Sequence, residues 1–243
     1  MRNARRTTAA AVVGTALLVV AGCAPRAQDA GAPLPRPYAG FEELPEKLAA
    51  DGTTIMVGDP AAAMTVRLYE DPRCPVVDEF EKTGALALRE TMLRREARTE
   101  YTFASFRDER MGGDGSQRAV NALRAALDEG KFTEYHAVVF ANMDKSEQAG
   151  GYTTASLLEL ANQVAGLRGE SFDSAVTTMK YRDFVTASEK AYEAADGEDP
   201  RGPGTPTVVI NGRRVTEDQS SSLFDQEWFD HLLASAGDRP RIR

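Results

Sequence analysis

Polar and apolar residues alternate over residues 65–70, with Val66 and Leu68 on one side, and that period of two predicts a strand. Asp71-Pro72 breaks it. Cys74 follows, then Pro75, whose missing N–H suits the first turn of a helix. Phe80, Leu86, Leu88, Met92 and Leu93 recur at near-helical spacing, so a helix is expected over 75–98, with Gly84 the place for a kink. Arg94, Arg95 and Arg98 suit a solvated helix C-terminus. Alternation returns over 99–106, with Tyr101 and Phe103 on one side, and predicts a second strand. Upstream, 41–50 is weakly helical, 52–57 suits an edge strand, and Gly58-Asp59-Pro60 marks a turn.

Beyond 106 the pattern turns helical. A loop is expected over 107–115, then a helix with Ser116 as N-cap and Gly130 as its stop. A second helix covers 132–142, a third begins at Thr153 or Thr154 and ends at Gly166, and 171–195 carries one or two more. Residues 116–196 therefore form a helical block between strands. Residues 196–204 are a polar loop. A strand opened by proline covers 205–210, Asn211-Gly212 signals a hairpin turn, 213–216 is the return strand, and 225–236 is a closing helix.

The N-terminus does not fit this folded pattern. Arg2, Arg5 and Arg6 precede an apolar run, and Val20-Ala21-Gly22-Cys23 reads as a lipobox, so residues 1–22 are expected to be a lipoprotein-type signal peptide. The alternative is an ordinary secretory signal. Lipid on Cys23 would hold the protein on a membrane. Residues 23–40 hold Pro25, Pro33, Pro35 and Pro37 among small and polar residues and are expected to be a disordered tether. The folded domain is expected over 41–237, with 238–243 a tail. The signal carries three arginines and no acid, so its removal takes the formal net charge from −8 to −11. That charge argues against nucleic acid as a partner.

The candidate chemistry centres on Cys74. It lies where strand gives way to helix, at the positive end of the helix dipole, where a thiol loses its proton most easily. With Cys23 carrying lipid, Cys74 is a lone thiol. A dithiol enzyme needs a second cysteine three residues on; Val77 stands there. His136 reads as a packed or capping residue, and His231 as a half-exposed one. No metal-ligand spacing is present, no motif calls for a cofactor, and the Gly112–Gly115 run lacks the Lys-Ser/Thr of a phosphate loop.

The element order resembles the DsbA-like branch of the thioredoxin superfamily from about Val57 to Leu233. Tyr69, Asp71 and Cys74-Pro75 stand where that family has an aromatic, an acid and its nucleophile motif. Gly130-Lys131-Phe132, Tyr135-His136 and Phe140 match its helical insert, and Gly204-Thr205-Pro206-Thr207 its Gly-Thr-Pro-Thr strand. The resemblance implies an α/β thioredoxin-like fold with a central mixed β-sheet and a helical insertion. It also implies that Pro206 is a cis-proline, that Thr205 lies against the Cys74 thiol, and that an extended peptide pairs with the backbone there. The chain departs from the family at Val77, at Val76, and at Asp78, an acid where relatives often carry a basic residue.

Three functions remain open on these residues. One is a peptide- or partner-binding module that has lost dithiol oxidoreductase activity. Another is a monothiol exchange protein with Cys74 as nucleophile, and the third a structural envelope lipoprotein. In each, the protein is expected outside the cytoplasm, on the cell membrane through Cys23.

Overall fold

The structure, a computed structural model, describes residues 36–197 and 199–237. The signal peptide, Cys23, most of the tether and the 238–243 tail lie outside the described residues. Among the described residues, no helix is long and apolar enough to cross a membrane.

Six strands form one mixed sheet in the order β1-β2-β4-β3-β5-β6: β1 (Glu46–Leu48), β2 (Ile55–Gly58), β3 (Met64–Glu70), β4 (Ala97–Phe103), β5 (Thr207–Ile210) and β6 (Arg213–Arg214). β3 runs parallel to β4 and antiparallel to β5. Helices α1 (Pro75–Lys82) and α2 (Ala85–Leu93) join β3 to β4. Among the described residues, seven helices lie between β4 and β5: α3 (Arg107–Met111), α4 (Gly115–Asp128), α5 (Phe132–Ala141), α6 (Met143–Gln148), α7 (Thr154–Ala161), α8 (Glu170–Thr178) and α9 (Arg182–Glu193). The chain closes with α10 (Gln226–Gly237). Val66, Leu68, Phe80, Leu88, Phe103, Leu123, Phe132 and Phe229 are almost fully buried in one core shared by sheet and insert. Within it Phe80 meets Phe229 edge-on, which ties α1 to α10.

Several boundaries differ from the sequence pattern, most of them where a residue distant in sequence makes contact. Residues 41–50 form a 3-10 turn (Phe41–Glu43) followed by β1, not a helix, so β2 is an inner strand rather than an edge. The helix expected over 75–98 is two. A Cβ on Gly84, between them, would lie 2.0 Å from the Leu223 carbonyl oxygen, so the 3-10 helix Glu217–Phe224, which the pattern did not predict, packs directly on that glycine. α2 stops at Leu93 because Arg95 turns left-handed (φ 65°). Its guanidinium is bound by Asp59 Oδ2 (2.7 Å), the Tyr38 hydroxyl (2.8 Å) and the Arg36 carbonyl (2.7 Å). The run expected as a solvated helix end is therefore fastened at Arg95, and Tyr38, inside the expected tether, docks on it. The second strand ends at Phe103, not 106.

The expected 107–115 loop contains helix α3. Ser116 is not an N-cap but lies buried inside α4. The first N–H groups of that helix are capped instead by the buried Asp108, whose oxygens accept from Ser116 N (2.8 Å) and Gln117 N (3.1 Å). Thr153 does cap α7, in a reciprocal capping box with Ser156.

Candidate functional site

Cys74 is the N-cap of α1 and Pro75 its first helical residue, so the thiol sits at the mouth of the helix, as the Cys-Pro pair requires. The turn before it is built around Asp71, which is fully buried. Its carboxylate accepts from Arg73 N (2.9 Å), Arg107 N (2.9 Å) and Ser116 Oγ (2.6 Å), and its carbonyl accepts from Cys74 N (2.9 Å). Burial outweighs these bonds and pushes the Asp71 carboxyl up to about 7.

Arg73, only 3% exposed, turns inward under the same loop. It donates to Asp108 Oδ1 (2.8 Å), to both Glu147 oxygens (2.7 and 2.9 Å) and to the Gly112 carbonyl (2.9 Å). The residue preceding the thiol is thus clamped to α3 and α6 of the insert, and the Asp108 it holds also caps α4.

The Cys74 Sγ donates to the Thr205 carbonyl oxygen at 3.4 Å, and the Thr205–Pro206 bond is cis. Val77 lies one helical turn from Cys74, is fully buried, and packs with Cys74 and Phe140 in a small apolar cluster. Cys74 is a free, buried cysteine at 4% exposure. Val76 faces solvent beside it. Asp78 does carry its carboxylate near the start of α1, but Lys82 neutralises it at 2.6 Å, and Lys82 also reaches Asp144 at 3.1 Å. With Asp78 ion-paired, its charge weighs less on the thiol than its place in the sequence implies.

Sequence reasoning missed the group behind this cluster. His136 is buried, as expected of a packed residue, and its Nε2 lies 2.9 Å from Glu70 Oε2 while its Nδ1 lies 3.8 Å from Glu81 Oε2. Arg89 donates to Glu81. Burial pushes Glu70 and Glu81 each up to about 7, and it pushes His136 down to about 4, so the imidazole is neutral at pH 7. The Phe140 ring lies 4.6 Å from that of His136 and separates it from Cys74 and Val77. Glu70, Glu81 and His136 could offer three ligand atoms within 4.8 Å of one another, but Arg89 already supplies a cation to this group. The only signal in the sequence was an acid, Glu70, ending an otherwise apolar strand face.

Two recesses flank the loop that carries Pro206. One, of about 520 Å³, lies between that loop and Val208, Val215, Ser220 and Leu223. The other, of about 590 Å³, opens beside Cys74 and Val76 and is walled by α3, α9 and residues 199–205.

Compared with known families, residues 50–227 match the thioredoxin family model. The chain belongs to the thioredoxin family. Solved structures give its fold as DsbA-like. BdbD from Bacillus subtilis matches with a TM-score of 0.63 and 16% identity, over 84% of this chain and 100% of that one. MdbA from Corynebacterium diphtheriae, a thiol-disulfide oxidoreductase, matches with a TM-score of 0.60 and 18% identity, over 79% and 93%. DsbA from Mycobacterium tuberculosis, reduced, matches with a TM-score of 0.54 and 22% identity, over 79% and 98%. No curated protein sequence matches the chain. Thioredoxin-family membership and the mixed sheet with its helical insertion agree with what the element order implied.

Proposed function

We propose that this protein binds an extended segment of a partner protein beside Pro206 and has lost dithiol oxidoreductase activity. The observation that carries the reading is Val77, wholly buried against Cys74 where a resolving thiol would stand. Without that thiol no internal disulfide forms, and none can be passed to a substrate. The groove supports the binding half. Among the described residues β6 pairs with β5 only at Val209 and Ile210, with Val215 N–H on the Val208 carbonyl, so the backbone at 205–207 lies outside that pairing, beside a recess lined by Val208, Val215 and Leu223 as well as Arg214 and Glu217. The protein acts outside the cytoplasm, held to the membrane by lipid on Cys23.

Two measurements test this. Catalysed insulin reduction should stay at the uncatalysed rate. S-carboxymethylated insulin B chain, which cannot exchange disulfides, should bind in calorimetry, and Ser220→Trp, which fills the recess from a half-buried position, should abolish that binding. Catalytic turnover, or binding unaffected by Ser220→Trp, would refute the reading.

One observation favours a second activity of the same site. Cys74 lines the 590 Å³ recess as well as facing Thr205, which supports monothiol exchange with a disulfide entering from that side.

A further inference from the structure

The recess beside Cys74 carries charges of both signs that do not pair with each other. Arg107 and Arg110 come from α3, and Glu193 from α9. None of these three forms an ion pair among the described residues. The Nε of Arg107 is buried and has no hydrogen-bond partner. Most other charged groups of the wall are already engaged: Arg201 binds Asp199, Asp196 lies 3.4 Å from Arg214, and Glu189 accepts from Ser105 N and Oγ, while Glu109 sits on α3 between Arg107 and Arg110. Phe106 and Tyr192 stack at 5.6 Å and line the recess with aromatic surface. About 590 Å³ is room for a small ligand but not for a folded chain.

We propose that this recess selects a low-molecular-weight disulfide of an amino-acid type, with carboxylate and ammonium groups, and presents its sulfur to Cys74. The carboxylate would meet Arg107 and Arg110 on α3, and the ammonium would meet Glu193 on α9. Charges of both signs, unpaired in one recess, suit a zwitterion better than an ion of one sign. This deepens, and rests on, the monothiol reading of Cys74.

The step balances with the disulfide as oxidant. The Cys74 thiolate attacks one sulfur, the bond between Cys74 and that half-molecule forms, and the original S–S bond breaks. The other half leaves as a thiolate and takes up a proton, matching the proton that Cys74 released to water. Attack by a second small thiol reverses the step.

The test reacts the reduced full-length protein with four disulfides and follows adduct mass. They are cystine (zwitterionic), cystamine (cationic), 3,3′-dithiodipropionate (anionic) and hydroxyethyl disulfide (neutral). Rates are divided by those of the same chain unfolded in urea, and Cys74→Ser identifies the adduct site. Normalised cystine should react about tenfold faster than normalised hydroxyethyl disulfide, the gain expected of one charge-assisted contact. Arg107→Met should remove that preference, read as the ratio of the cystine rate to the hydroxyethyl disulfide rate within the same variant. If hydroxyethyl disulfide reacts but cystine shows no preference, or if Arg107→Met changes nothing, the zwitterion pocket is refuted and monothiol exchange stands. If the folded protein reacts with none of the four while the unfolded chain does, both fall.

Discussion

Replacing Val77 with cysteine should restore an internal disulfide. Position 77 is one turn along α1 from Cys74, on the same face, and the two side chains already touch within one apolar cluster. Facing β-carbons at that spacing lie close to the separation a disulfide requires. Val77 is fully buried, so Val77→Cys loses roughly one methyl's worth of packing against Phe140, about 1 kcal/mol. The fold should survive that, because Asp71, Arg73 and the Thr205 carbonyl hold the loop independently of Val77. The new thiol would attack a Cys74 mixed disulfide intramolecularly, at an effective concentration no external thiol matches. Insulin reduction should rise above the wild-type baseline, and thiol titration after mild oxidation should find the pair at positions 74 and 77 oxidised. A folded Val77→Cys protein that keeps both thiols free under mild oxidant would show that the two side chains do not face each other, and the argument from Val77 to lost activity would fail with it.

Three further outcomes follow from the same contacts. Arg73→Met would strand the buried Asp108 beside a partly buried Glu147 and should lower unfolding free energy in urea by about 3–5 kcal/mol, whereas an effect under 1 kcal/mol would mean that the clamp contributes little. Glu70, Glu81 and Asp71 titrate near 7 when folded, above their ordinary values, so they contribute stability below the unfolded carboxyl range that is lost as pH rises through 7; urea unfolding should show a less stable protein at pH 8 than at pH 5, and Glu70→Gln should reduce the difference. Cys23→Ala should leave the protein unprocessed or released into the medium, and membrane fractionation of that variant at wild-type level and mass would sink the lipid anchor.

What the chain's own pattern determined was local. The strand before Asp71, the Cys74-Pro75 helix start, the proline-opened strand at 207, the Asn211-Gly212 turn and the helical block each rest on periodicity and turn residues within a few positions. Burial on one side imposes that periodicity wherever the segment sits. Val77 was legible for the same reason, since a one-turn spacing from Cys74 needs no tertiary contact to define it. The polar framework was not legible, because each of its bonds joins residues far apart in sequence. Nothing near Arg73 indicates that it turns inward to Glu147, and nothing near Arg95 indicates that Asp59 will stop α2 at Leu93. Glu70, Glu81 and His136 come from β3, α1 and α5 and meet only when the insert packs on the sheet. A buried charge must find its partners wherever the fold brings them. The tertiary structure therefore decided how the thiol loop is held and which charges face the recess beside it.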